Sequence, residues 1–75
     1  MYDPKITGLR LRSLRIQHGR KQDDIASCLG VGQTAVSNQE KGMSSPYAAA
    51  LFWYAVEYGV SADYLLGLTD DPTPV

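Results

Sequence analysis

From Gly42 to its end this chain has no lysine and no arginine. That half carries Glu57, Asp63, Asp70 and Asp71, so any contact with a polyanion must come from the half before it. Cys28 is the only cysteine and His18 the only histidine, which excludes an internal disulfide and leaves no set of ligands at metal-binding spacing. No metal and no cofactor are expected. An acid–base pair, a nucleophile with a partner histidine and a glycine-rich phosphate loop are all missing, which argues against an enzyme. There is no run of about 18 apolar residues, so no membrane span is expected. The opening M-Y-D-P-K lacks a secretory leader's pattern, and with the lone cysteine this points to a reducing, cytoplasmic setting. Strand-like alternation is absent too, and the 75 residues read as one all-α domain.

The basic residues are gathered instead. Lys5, Arg10, Arg12, Arg15, Arg20, Lys21 and Lys41 all precede Gly42, so a formal net charge of −1 conceals a molecule basic on one side and acidic on the other. Lys5, Arg10 and Arg12 have two readings, as contacts to phosphate or as surface charge that keeps the protein soluble.

Five helices are expected: Thr7 to His18, Gln22 to Leu29, Gln33 to Lys41, a fourth capped by Ser45 with Pro46 at its first position and ending at Tyr58, and a fifth capped by Ser61 through Leu66. Leu11 and Leu14 face inward in the first, with Leu9 and Ile16 as further candidates. A glycine follows each helix, at 19, 30, 42, 59 and 67, where a left-handed stop belongs. The domain is read as residues 1–69, and 70–75 as a polar tail expected to fray.

The segment Q-D-D-I-A-S-C-L-G-V-G-Q-T-A-V-S-N-Q-E-K-G, from Gln22 to Gly42, holds the most information. Ile25, Ala26 and Leu29 form one face of a short helix. Gly30 supplies a sharp reversal, Val31 fills the corner, and Ala35 and Val36 pack a second helix back on the first. Small Ala26 permits a close crossing. A small residue, a glycine four later and a β-branched residue six after that make the pattern of a helix-turn-helix. The second helix carries Gln33, Thr34, Ser37 and Asn38 on its outer face. They are either a solvated surface or a set of uncharged groups for reading base edges; the turn and the charge asymmetry favour the second.

Together with L-R-S-L-R-I-Q-H-G before it and G-V-S-A-D-Y-L-L-G-L-T-D-D-P after it, this segment resembles the Cro and phage-repressor type of helix-turn-helix regulators over residues 7–69. The resemblance implies a compact five-helix repressor-like DNA-binding domain in a bacterial or phage-encoded transcription regulator, with repression its expected sense. It implies that Gln22 meets a DNA phosphate, that Gln33 and Thr34 read bases with Ser37 and Asn38 one turn later, and that Lys41 lies near the backbone. It also implies an ion pair between Arg15 and Glu40. The chain departs from the family at Arg20 and Gln39, where apolar residues are usual, at Lys21 and Gly32, where a capping hydroxyl or serine is usual, and at Met43, in a loop often basic. The expected partner is double-stranded DNA with an inverted-repeat operator, bound by a homodimer.

The fourth helix, Y-A-A-A-L-F-W-Y-A-V-E-Y, is apolar on two sides. Leu51, Tyr54, Ala55 and Tyr58 suit the core. Phe52, Trp53 and Val56 form a second stripe, read as a dimer interface or as an enlarged core. A competing function builds on that stripe: an antitoxin-like module whose main partner is another protein. Cys28 is read as a small, partly buried residue, and His18 as a residue of the first helix's last turn.

Overall fold

A computed structural model describes residues 1–74; Val75, the last residue of the tail, lies outside the described residues. The first helix, α1 (Pro4–Gln17), starts three residues before the expected Thr7. The reason is local: the Asp3 carboxylate accepts the Lys5 N–H at 2.9 Å, and Pro4 takes the first helical position, where no N–H is needed. Thr7, Gly8, Leu11 and Leu14 face the interior. Leu9 and Ile16 do not; they lie on the outer side of α1, 68% and 52% exposed.

Helix α2 (Gln22–Leu29) begins without a side-chain cap, since an ammonium at Lys21 has no lone pair to offer. Asp24 compensates by accepting the Lys21 N–H at 3.1 Å, and the acidic pair Asp23 and Asp24 suits the positive end of the helix. At Gly30 the backbone turns left-handed, φ 68°, and Val31 N–H reaches back to the Ala26 carbonyl at 3.0 Å. A side chain there would be strained, so the reversal depends on glycine. The same backward bond closes the other four helices, from Arg20, Met43, Val60 and Leu68.

Helix α3 (Gln33–Glu40) ends one residue before the expected Lys41, which is its cap. Helix α4 (Ala48–Tyr58) starts later than the Ser45–Pro46 signal suggested. Ser45 is engaged elsewhere, accepting the Tyr2 hydroxyl at 3.0 Å, and Tyr47 is extended, its own hydroxyl donating to the Leu29 carbonyl at 3.3 Å. Helix α5 (Ala62–Leu66) is capped as expected, by Ser61 accepting the Tyr64 N–H at 3.0 Å. Among the described residues there is no strand, and no helix is long and apolar enough to cross a membrane.

The core joins all five helices. Leu11, Ile25, Val36, Tyr54 and Leu65 are each at most 2% exposed. Burying each contributes about 1.5–3 kcal/mol before the entropy cost of ordering the chain. Two buried polar groups solve each other's problem: the Tyr54 hydroxyl donates to Gln39 Oε1 at 2.9 Å. That bond explains why a glutamine stands where the family prefers an apolar residue. Burial pushes the Tyr54 phenol well above its usual value and that of Tyr58 up to about 12.

Hydrogen bonds join the tail to the body of the domain at Thr69, Asp70 and Pro72. Arg10 reaches across α1 to the carbonyls of Tyr64 and Thr69, the latter at 2.8 Å, and to the Asp70 carboxylate at 2.7 Å. Its guanidinium lies 4.1 Å from the centre of the Tyr64 ring. Ser61 N–H donates to the Pro72 carbonyl, and the Thr73 N–H and hydroxyl hold the Asp71 carboxyl below its usual range. Arg10 is therefore neither a phosphate contact nor a solubilising charge; it fastens the end of the chain to α1.

Candidate nucleic-acid interface

The interface is built on the crossing of α2 and α3. Ala26 and Val36 are buried between them, and the Gly30 turn fixes their relative direction. With Val36, Gln39 and Glu40 turned inward, the opposite side of α3 must face solvent. Gln33 and Thr34 are exposed there, and Ser37 and Asn38 are half-buried one turn later. These four side chains share a single surface, and Lys41 is exposed at its far end.

A chain of hydrogen bonds orients Gln33 on that surface. Gln33 Nε2 donates to Gln22 Oε1, and Gln22 Nε2 donates to Glu40 Oε1 at 3.0 Å. Glu40 also takes a paired contact from Arg15, Nε at 2.7 Å and Nη2 at 3.0 Å. The third donor of Arg15, Nη1, holds the Arg20 carbonyl at 2.9 Å. The Glu40 side chain is 4% exposed and that of Arg15 14%, so this pair is shielded from water and joins α1 to the end of α3. The bond to Glu40 raises the Arg15 pKa further above its already high value.

The Arg20 guanidinium pairs with Glu57 on α4. Cys28 is exposed, not partly buried, on the outer side of α2. Trp53 is half-buried, its ring meeting those of Tyr54 and Tyr58 edge-on at 5.5 and 6.3 Å. Phe52 and Val56 are the open part of the second stripe, 72% and 67% exposed, and with Ala55, Val60 and Pro74 they line an apolar groove. The link from Arg20 to Glu57 went unforeseen because 37 residues separate the two and neither sits at a helical spacing from the other.

Among the described residues three ion pairs form, at Arg10, Arg15 and Arg20. Lys5, Arg12, Lys21 and Lys41 are the cations outside them. Net basicity therefore remains on the part of the molecule that precedes Gly42.

Two short helices fixed by a tight turn, the second presenting polar side chains beside unpaired cations, define a helix-turn-helix DNA-binding module. A helix-turn-helix family model matches residues 11–65, and the chain belongs to that family. It is 38% identical over 65 residues to an uncharacterized HTH-type transcriptional regulator, YobD, of Bacillus subtilis strain 168; the match covers 87% of this chain and 58% of that protein. Its fold is similar to that of the restriction-modification controller protein C.AhdI from Aeromonas hydrophila. The TM-score is 0.71 and the identity 25%, over 84% of this chain and 96% of the other. The family match and the named relatives support a DNA-binding part in transcription regulation, and the chain spans about three fifths of the length of the Bacillus relative, 58%.

Proposed function

We propose that this chain is a sequence-specific repressor domain that lays α3 in the major groove of duplex DNA. The observation that carries this reading is the ordered pair of amides at Gln22 and Gln33. With one N–H given to Gln22, Gln33 keeps one N–H and its Oε1 free, the donor–acceptor pair that matches adenine N7 and N6. Gln22, anchored on Glu40, keeps a second N–H for a phosphate. Thr34, Ser37 and Asn38 supply the other base-edge contacts, and Lys41 a backbone contact.

Selection of bound duplexes from a random pool tests the reading and yields the site. Gln33→Ala is expected to weaken operator binding by about 1–3 kcal/mol and random-DNA binding hardly at all. Lys41→Ala should weaken both and flatten the salt slope by about one unit. Equal losses on operator and random DNA for Gln33→Ala would mean that α3 reads no bases.

The same reading takes the chain to act as a homodimer. One copy measures 28 × 24 × 20 Å, shorter than the roughly 34 Å turn between successive major-groove faces. The exposed Phe52 and Val56 offer an apolar contact on the half of the chain that carries no lysine or arginine. Two linked copies would multiply affinity and require an inverted repeat. Phe52→Lys alters an exposed side chain that takes no part in the ion pairs. It should abolish dimerisation in sedimentation and leave thermal stability of the monomer within a few degrees. A dimer that survives this change has its contact elsewhere.

A further inference from the structure

The start of α1 lies against the exit of α3, and two glycines allow it. A Cβ at Gly8 would sit 2.5 Å from the carbonyl oxygens of Gln39 and Glu40, and one at Gly42 would sit 2.8 Å from Lys5 Cα and 2.9 Å from Lys5 Cγ. Lys5 is thus stacked on the residue that follows Lys41. The Asp3 carboxylate next to it is committed to the Lys5 backbone N–H, and Lys5 forms no ion pair among the described residues. The Tyr2 hydroxyl, bonded to Ser45 at 3.0 Å, ties the segment before α1 to the loop after α3. Two exposed lysines outside the ion pairs, Lys5 and Lys41, therefore belong to neighbouring backbone where the recognition helix ends, Lys5 packed against Gly42 and Lys41 preceding it.

We propose that Lys5 is part of the DNA interface: with Lys41 it forms a clamp on the phosphate backbone at the trailing end of α3. This rests on the reading of α3 given above. Its partner is the duplex backbone, recognised by charge and not by sequence, so Lys5 adds affinity and fixes register without choosing bases. The sequence alone left Lys5 open between phosphate and solvent; its packing on Gly42 is what separates it from an ordinary surface lysine.

The test is binding of the selected operator and of random duplex as salt is varied, for wild type, Lys5→Gln and Lys5→Arg. Glutamine keeps the methylenes that pack on Gly42 and removes only the charge. Giving up a single phosphate neutralisation changes the log–log salt slope by about 0.9, which is roughly an eightfold loss of affinity at 0.1 M salt that closes toward 1 M. Lys5→Gln should show this on operator and random DNA alike, and Lys5→Arg should restore it. Ethylation interference should also lose one protected phosphate with Lys5→Gln. An unchanged slope, with wild type still selecting its operator, overturns the clamp and leaves the role of α3 standing. A wild type without sequence preference overturns the reading of α3 instead. A melting temperature shared by all three proteins confirms that the difference comes from charge.

Discussion

Glu40→Ala is expected to cost about 3–5 kcal/mol of folding stability, as much as a domain of this size has to lose. Two donors depend on this one carboxylate: the Arg15 guanidinium, with bonds of 2.7 and 3.0 Å, and the Gln22 amide at 3.0 Å. Alanine leaves a shielded cation with no counter-charge and a side-chain amide with no acceptor. The loss measures that penalty and not the worth of the pair, which has already paid to leave water. Replacing both partners, Arg15→Met with Glu40→Leu, should therefore recover most of the stability lost in Glu40→Ala. Urea denaturation followed by the fluorescence of Trp53 would compare the three proteins. A loss below about 1 kcal/mol for Glu40→Ala would put the pair in the class of exposed surface bridges. The double replacement also separates folding from recognition. It should fold and yet bind operator poorly, because Gln22 no longer has Glu40 to set its amide and so cannot set Gln33.

What could be read in the sequence is what is local. The five glycines mark five left-handed helix ends because a positive φ is a property of one residue and its neighbours. The α2–α3 turn was legible for the same reason, since Ala26, Gly30 and Val36 lie within eleven positions. The errors fall where a side chain has a distant alternative. Ser45 looked like a cap, but Tyr2 takes its hydroxyl from 43 residues away. Arg10 looked like free charge, but Tyr64, Thr69 and Asp70 hold it, and Arg20, standing where an apolar residue is usual, is held by Glu57. Leu9 and Ile16 looked like core because apolar residues usually are, and their angular position on α1 takes them past the buried arc. Trp53 and Phe52 are neighbours in sequence and differ in exposure because 100° of helix rotation separates them. The four polar residues of α3 were assigned by pattern; the amide chain through Gln22 that orients Gln33 is a tertiary feature, and no spacing announces it.

Gly8→Ala is expected to destabilise the protein by about 1–3 kcal/mol, against the usual trend. In the interior of a helix this change normally gains about 1 kcal/mol, because alanine has less backbone freedom to lose. Here the new methyl would meet the carbonyl oxygens of Gln39 and Glu40 at 2.5 Å, close to an ångström inside contact distance. Neither is the yielding tip of a side chain; both belong to the last turn of α3. To make room, α1 and α3 must separate, which loosens the packing of Leu11 and Val36 and is the overpacking penalty of a filled core. The displacement has a functional direction as well. The Gln39 carbonyl accepts the Gly42 N–H at 3.2 Å, so moving it moves Lys41 and the loop beyond. Gly32→Ala is the matched control. Its φ is −79° and nothing lies within 4 Å of the new Cβ, so only alanine's poorer fit at this N-cap position should register, about 0.5–1 kcal/mol. Thermal melts of the two variants, with operator binding of each at two salt concentrations, check both parts. If Gly8→Ala melts no lower than Gly32→Ala, α1 and α3 do not meet as closely as the carbonyl contacts require, and Gly8 is an ordinary helical glycine.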